Sequence, residues 1–258
     1  ENIEKHQWAK TIQRRILSRA DETITMYSED SYLDNMIPRT SPVAQTFCPH
    51  CARDGKDFIP TGSWSWNQKD PDHIKCQICG TIYPNDDYPE TLQFQSTWDP
   101  EQIFTYVDNG PRKCFDYYRC YSSVNGLIRN YKLQYTIKRL TILSQAYSLS
   151  GEIKYAESTK RILLKLADRI SKYLIYCGHS YAQYADCDPR YAVQHIPSLP
   201  VIDGKKCPII VADPESQSDT FHDDYGQTGR LGTTGSDGEL VEIMALAYDL
   251  VADAKKED

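Results

Sequence analysis

Cys76-Gln-Ile-Cys79-Gly80 repeats, after 24 intervening residues, the cysteine spacing of Cys48-Pro-His-Cys51. Two residues between the cysteines make a turn tight enough to aim both thiolates of a pair at one point. Two such turns supply the four sulfur ligands that tetrahedral Zn²⁺ prefers, although the loop between them is somewhat longer than is usual for a zinc ribbon. Gly80 can adopt the positive φ that lets backbone N–H groups reach sulfur. The spacing predicts a closed and therefore structural zinc site; two adjacent disulfides or four unrelated thiols are the alternatives.

The composition limits the class of protein. A chain of 258 residues suffices for one large domain or two modest ones, and 40% hydrophobic with 25% charged residues is ordinary for a soluble globular protein. The net charge of −7 argues against a general nucleic-acid binder, which would present a basic face. No run approaches the roughly eighteen apolar residues of a membrane span, so we expect no membrane partner. The first residues do not resemble a signal peptide, which a mature secreted protein would have lost, so they do not indicate a compartment.

Helical periodicity dominates the sequence outside the cysteine region. Apolar residues recur at about 3.6-residue spacing from residue 2 to about residue 20, and a closing helix is predicted from about Asp237 to Asp253. The clearest unit is a pair of helices over residues 130–149 and 152–175. Ser150-Gly151 joins them and is a good helix terminator. Because two long helices on so short a connection must pack antiparallel, we expect a helical hairpin here.

The cysteine region contains short strand patterns. Trp64 and Trp66 alternate, which puts both rings on one face of a strand. The two rings either cover the zinc site or stack on a sugar, and covering is the favoured role. Thr81-Ile82-Tyr83 reads as a second short strand.

The chain after residue 90 is predicted to be irregular at first and then helical. Residues 91–113 look irregular because Asp99-Pro100 breaks them, and a helix is expected to resume from Cys114, with a loop near residues 122–126. A Cys114–Cys120 disulfide is less favoured than free buried thiols, because helical spacing does not bring the two together. The predicted division is an N-terminal helical segment, a zinc-knuckle insertion and a helical-hairpin portion with long loops, over residues 1–42, 43–90 and 91–258.

A long polar stretch from Cys177 to Gly238 is the best place for chemistry, since ordered loops of this length are often functional. No nucleophile elbow, P-loop, HExxH motif or dinucleotide fingerprint is present. The His, Tyr and Arg residues of the stretch are the types needed for β-elimination on an acidic sugar. In that reaction a base removes the proton beside a carboxylate and an acid protonates the leaving oxygen. A cation or amide stabilises the charge that develops. They are compatible with that reaction without selecting it. The catalytic candidates are His179, Tyr184, His222 and Tyr225, and the substrate-binding candidates are Tyr181, Arg190, Arg230, Trp64 and Trp66.

Acidic residues of the same stretch allow two further interpretations. Asp186, Asp188, Asp223 and Asp224 could form a hard-cation site, but turn capping explains them more simply. A glycoside hydrolase would need two cleft carboxylates, for which Asp186 and Asp223 are available; this is the least favoured enzyme class.

Several stretches together resemble the heparinase II/III-like polysaccharide lyases, and within them a subgroup with a cysteine-knuckle insertion near the N-terminus. The most specific part is the second cysteine pair with its tail, from Ile74 to Tyr88. The remaining similar stretches are Trp8 with the N-terminal helix, Cys48-Pro-His-Cys51, residues 181–190, residues 229–238 and residues 247–250.

The resemblance implies a mainly α fold: an incomplete (α/α) toroid of helical hairpins, here with a small inserted zinc-ribbon-like β segment, followed in the family by antiparallel β-sheet domains. It implies cleavage of a uronate-containing polysaccharide, of glycosaminoglycan or alginate type, by a secreted or periplasmic enzyme. The family's catalytic Tyr and carboxylate-neutralising residue lie on helices after the position matching Ala247–Leu250, so we expect this chain to be the first part of a toroid that belongs to a longer protein. A non-catalytic zinc-ribbon module that binds carbohydrate or another protein is the alternative.

Overall fold

The computed structural model describes residues 5–53, 57–95, 99–110, 112–114, 118–173, 201–202, 205–206, 230–231 and 234–254. About half of these residues are helical, and small antiparallel strand pairs make up most of the remaining regular structure, so the prediction of a mainly α protein is confirmed. The helices are α1 (Gln7–Met26), α2 (Asp30–Met36), α3 (Val124–Ser150), α4 (Ile153–Ile170) and α5 (Thr234–Val251). The strands are β1 (Trp64–Asn67), β2 (Asp70–Cys76), β3 (Ile82–Tyr83), β4 (Leu92–Gln95), β5 (Ile103–Tyr106), β6 (Arg112–Cys114), β7 (Tyr118–Cys120), β8 (Val201–Ile202) and β9 (Lys205–Lys206). None of the described helices is long and apolar enough to cross a membrane.

The chain divides into two compact units. One consists of Glu1–Pro38, Leu133–Ser171 and Gly238–Asp258, and is helical wherever its structure is described in regular elements. The other consists of Arg39–Lys132 and Lys172–Asp237, and contains the strands. The segment boundaries predicted at residues 42 and 90 are placed by changes in sequence pattern, whereas the two units are defined by spatial contacts. The predicted boundaries therefore stay a prediction.

The predicted helical hairpin is present in the helical unit. The residue that joins α3 to α4, Gly151, has φ +72°, a left-handed conformation that glycine adopts at little cost, and its N–H donates to Tyr147 O at 2.7 Å. The buried face of α4 follows the helical repeat, through Tyr155, Thr159, Ile162 and Leu166. The hairpin therefore arises from local periodicity and one permissive turn.

One buried hydrogen bond and several partly exposed ion pairs hold α1 and α2 within the helical unit. Tyr27, at the end of α1, shares a 2.7 Å hydrogen bond with Thr136 of α3. Asp34 of α2 pairs with Lys165 and Arg169 of α4, and these cations hold the pKa of its carboxyl below the usual value, with the Lys165 hydrogen bond contributing most. Neither α2 nor this pairing was anticipated, because one short helix offers too few repeats for a periodicity to be visible.

The second unit contains a three-stranded antiparallel sheet in the order β1-β2-β3. Trp64 of β1 lies opposite Cys76 of β2, and Ile74 lies opposite Tyr83 of β3. The predicted strands at Trp64–Trp66 and Ile82–Tyr83 are thus confirmed. The register aligns Ile74, Cys76 and Tyr83 on the buried face of the sheet.

The expectation of an irregular segment over 91–113 followed by a helix from Cys114 is wrong. β4 and β5 form a hairpin that pairs Leu92 with Tyr106, and β6 and β7 form another that pairs Cys114 with Tyr118. Asp99-Pro100 is the connection of the first hairpin and not a break in structure. The helix begins only at Val124, where the buried Glu90 carboxylate accepts the backbone N–H of Asn125 at 2.8 Å and so satisfies an N-terminal donor of α3.

Candidate metal centre

The four cysteines of the two pairs lie on turns at the end of the three-stranded sheet. The first pair forms a loop before β1, in which the N–H of Ala52 donates to Cys48 O at 3.0 Å. The second pair begins at the last residue of β2, and its turn is closed by the N–H of Gly80, which donates to Cys76 O at 3.0 Å. Gly80 has φ +79°, as predicted for this turn. The N–H of Cys76 then donates to Thr81 O, which leads the chain into β3.

The four sulfur atoms converge on one point. All lie within 4.8 Å of one another, with Cys48 Sγ 3.7 Å from Cys79 Sγ and Cys51 Sγ 3.8 Å from Cys76 Sγ. A tetrahedron with metal–sulfur bonds of about 2.3 Å has edges of about 3.8 Å, whereas a disulfide requires sulfur atoms about 2.05 Å apart. The alternatives of two disulfides and of four unrelated thiols are therefore wrong. The four cysteines lie close together and could bind a metal ion.

Two histidines near the cysteines do not enter this cluster. Within the described residues the ligand cluster consists of the four cysteines alone. His50 Nδ1 lies 3.0 Å from the Tyr88 hydroxyl, and His73 Nδ1 lies 2.6 Å from an Asp70 carboxylate oxygen. Both rings thus have other partners.

Hydrogen-bond donors surround the sulfur atoms. The Tyr83 hydroxyl accepts the backbone N–H of His50 at 3.1 Å and lies 3.2 Å from Cys48 Sγ, so its own proton is directed at that sulfur. The backbone N–H of Cys51 also donates to Cys48 Sγ. Burial, together with the contact to Cys48, raises the pKa of Tyr83, which keeps the hydroxyl protonated and a donor. These donors stabilise negative charge on Cys48, as groups around a metal thiolate do.

The pKa values of the thiols indicate whether the cluster can carry negative charge without a metal ion. Burial raises the pKa of Cys48 to about 11 and raises the pKa of Cys51 as well. Burial acts to raise the pKa of Cys79 too, but hydrogen bonds with the Thr81 hydroxyl and backbone and with the sulfur atoms of Cys76 and Cys51 together outweigh it, and the pKa of Cys79 lies at about 7. Four thiolates cannot share this small volume at neutral pH unless a cation balances them, so metal binding would release protons.

An apolar cluster surrounds the centre and connects it to the first turns of α3. Its members are buried, with the two tryptophans and Tyr131 half-buried at its edge. Trp66 stacks on Tyr131 of α3 with ring centroids 6.2 Å apart, and Trp64 meets Tyr83 edge to face. The cluster consists of Cys48, Ile74, Cys76, Tyr83, Tyr88, Val107, Val124, Leu127 and Ile128, with Cys51, Trp64, Trp66 and Tyr131 packed against it.

Trp64 and Trp66 share one face of β1, as the alternation predicted. The Trp64 indole N–H donates to Thr46 O at 3.1 Å, and that of Trp66 donates to Pro71 O at 2.9 Å. In this structure both rings pack against the cluster that holds the cysteines. A role in stacking on a sugar stays a prediction.

The remaining predicted site residues are largely outside the described part of the chain. This holds for His179, Tyr181, Tyr184, Arg190, His222 and Tyr225, and for the four aspartates considered as a cation site. Arg230 is described: its guanidinium donates to Tyr173 O, and its backbone N–H donates to Asp237 Oδ2 at 2.6 Å. The structure thus brings the four cysteines together, and the other candidates stay predictions.

Sequence reasoning missed two residues near the site: Tyr83, which contacts Cys48 Sγ, and Glu90, which accepts an N–H at the start of α3. Tyr83 was read only as a strand residue, although the alternation of Thr81 and Tyr83 after the second pair offered a weak signal. Glu90 carried no recognisable signal. Its partners are the Thr105 hydroxyl and the backbone of Asn125, and both are distant in sequence.

Comparisons of the chain with protein-family models, with curated proteins and with solved structures found no match.

Proposed function

We propose that Cys48, Cys51, Cys76 and Cys79 hold a structural Zn²⁺ ion. The observation that supports this is the sulfur spacing, since contacts of 3.7 and 3.8 Å equal the edges of a zinc–thiolate tetrahedron. An all-thiolate tetrahedral set also suits iron, but zinc is the commonest ion in such sites. With four protein ligands no position remains for water or substrate, so the ion would stabilise the β1-β2-β3 sheet and would not catalyse.

Elemental analysis of the purified chain tests the proposal. We expect one zinc per chain, lost in Cys76→Ser and retained in the matched control Cys207→Ser, which makes the same change at a cysteine that belongs to neither of the two pairs. Replacement of zinc by Co²⁺ should give the strong visible absorption of a tetrahedral cobalt–thiolate centre. Iron in place of zinc, or no metal in protein purified without chelator, would contradict the assignment.

We further propose that the chain is the N-terminal part of an incomplete (α/α) toroid in a lyase that cleaves a uronate-containing polysaccharide by β-elimination. The support is the resemblance of the second cysteine pair and its tail, together with a helical hairpin of the kind from which such toroids are built. In this proposal the metal centre stabilises an inserted segment, and the polar stretch with His179, Tyr184, His222 and Tyr225 lines the sugar cleft, where Arg190 and Arg230 would bind the substrate's carboxylates. The resemblance also implies a secreted or periplasmic enzyme.

Incubation with glycosaminoglycan and alginate polymers tests the lyase proposal, because β-elimination leaves an unsaturated product that absorbs ultraviolet light. The chain and a longer version carrying the rest of a toroid should be compared. Product from the longer protein supports the proposal. Absence of product from both, with every uronate polymer tried, would refute it.

A non-catalytic role for the zinc ribbon is the second candidate, and one observation favours it. Ile78 on the second cysteine turn and Ile82 at the start of β3 are 56% and 53% exposed, and together they offer apolar surface for a contact with another molecule. Binding of a polysaccharide or protein without product, weakened by Ile78→Ser, would support this candidate.

A further inference from the structure

The helical unit carries an exposed apolar surface at which α1 and α5 meet. Trp8 and Ile12 of α1 are 60% and 50% exposed, and Leu246 and Leu250 of α5 are 57% and 39% exposed. Each pair is spaced four residues apart, so its two side chains are neighbours on one helix face. We call these four residues the Trp8 patch.

A groove makes the Trp8 patch more than a set of scattered apolar residues. It has a volume of about 400 Å³ and is bounded by α1, the end of α3 and α5. Trp8, Ile12 and Leu250 are among its lining residues, together with Ile16 and Leu149. Exposure of a concave apolar surface of this kind to water is unfavourable in free energy, and covering it with another surface is favourable.

The two sides of the Trp8 patch carry opposite charge. On α1, Arg15 and Arg19 follow Trp8 and Ile12 by seven residues each, two helical turns, and so lie on the same exposed face. On α5, Glu242 precedes Leu246 by four residues and Asp249 follows it by three, which places both carboxylates on that face of α5. The patch therefore has an apolar centre with a basic side on α1 and an acidic side on α5.

This arrangement is self-complementary. A two-fold rotation about the centre of the patch sets the basic side of α1 in one copy against the acidic side of α5 in the other, twice, while the apolar centres meet. We propose that the Trp8 patch is the interface of a homodimer. The inference is independent of the metal centre, because none of its residues belongs to it. Trp8, Asp249 and Leu250 also lie in stretches that resemble the lyase family, but the inference does not use that resemblance.

Charge reversal tests the orientation as well as the contact. The mass of the full chain should be measured by light scattering across a concentration series, with the 29.6 kDa monomer as the reference. Arg15→Glu with Arg19→Glu sets acid against acid, and Glu242→Arg with Asp249→Arg sets base against base. Each double variant should raise the dimer dissociation constant by about a hundredfold, and an equimolar mixture of the two should dimerise again because opposite charges meet at both contacts.

Lys10→Glu with Arg14→Glu is the matched control. It makes the same change of charge on the same helix, but these residues lie about half a turn around α1 from Trp8 and Ile12, so dimerisation should be unchanged. Circular dichroism identical to that of the wild type shows that each variant is folded. A wild-type chain that stays monomeric at about 100 μM, a concentration well above most specific dissociation constants, would overturn the proposal. A dimer whose dissociation constant is unchanged by both charge reversals would also overturn the proposal, as would a mixture of the two variants that stays monomeric.

Discussion

Tyr83→Phe should weaken metal binding although the substitution leaves every cysteine in place. Tyr83 is 1% exposed, and its ring packs against Trp64 and Tyr88 with centroids 5.8 and 5.9 Å apart. Phenylalanine preserves those contacts and removes only the hydroxyl. The variant therefore removes the hydrogen bond from that hydroxyl to Cys48 Sγ, together with the one that the hydroxyl accepts from the His50 N–H, which is lost equally with and without metal.

The expected size of the effect follows from the charge of the acceptor. A hydrogen bond to a charged group contributes about 1.5–3 kcal/mol, and removal of a group that supports a metal ligand typically costs about 10- to 100-fold in affinity. Metal-free protein should be affected less, because there the acceptor is a neutral thiol: the pKa of Cys48 without metal is about 11. We therefore expect zinc affinity to fall about 10- to 100-fold, with a smaller loss of stability in the metal-free form.

Competition with a chelator of known zinc affinity measures this effect, and Tyr88→Phe is the matched control. Tyr88 belongs to the same apolar cluster, but its hydroxyl lies 3.0 Å from His50 Nδ1 and serves the imidazole instead of a sulfur. Its removal should change zinc affinity by less than about threefold, since the sulfur atoms keep all their donors. The reasoning fails if Tyr83→Phe binds zinc as the wild type does, or if the two variants weaken binding equally.

Three further perturbations test other parts of the structure. Cys76→Ser should lower the free energy of unfolding by about 5 kcal/mol and the thermal midpoint by about 10–20 °C. The circular-dichroism ellipticity at the helical minimum should fall by less than about a tenth, because the helical unit has its own core. A larger loss of helix would contradict that separate core. Burial raises the pKa of Glu90, so ionisation of this carboxyl lowers the stability of the fold. In denaturant titrations at pH 4 to 8, the free energy of unfolding of the wild type relative to Glu90→Gln should be highest below the ordinary carboxyl pKa and should fall as pH rises through the raised pKa. A difference that does not change with pH would contradict this. Gly151→Ala should lower the free energy of unfolding by about 1–2 kcal/mol, because residue 151 has a φ of +72°. Gly238→Ala lies inside α5, where the added methyl group has no atom within 4 Å, and it should raise the free energy of unfolding by up to about 1 kcal/mol. Equal effects would contradict the assigned turn.

The correctly predicted features are those in which the sequence signal is local. The two residues between Cys76 and Cys79 determine the turn by themselves, and Gly80 supplies its positive φ. The long runs of α3 and α4 repeat their apolar spacing often enough to be recognised, and Gly151 marks the turn between them. In each case the residues that form the element also specify it.

The features that the sequence did not reveal depend on partners distant in the chain. β4 is four residues long, and its apolar alternation becomes meaningful only when it pairs with β5 across a connection that contains Asp99-Pro100. Tyr83 acts on Cys48 from 35 residues away, a relation that exists only after β3 has paired with β2. Short strands and donated hydrogen bonds of this kind are decided by tertiary contacts, so propensity and spacing do not predict them.

The donors around the cysteines also explain how a closed metal site can affect structure beyond its four ligands. Tyr83 contacts Cys48, and it belongs to the same buried cluster as Val124 and Leu127 in the first turn of α3. Glu90, a few residues after β3, accepts the N–H of Asn125 in that same turn. The position of β3 thus contributes to the apolar support of the start of α3. Because β3 is held by two residue pairs with β2, the proposed metal ion at the end of β2 would add a constraint on that position, and loss of the ion should loosen the start of α3 before the rest of the helix.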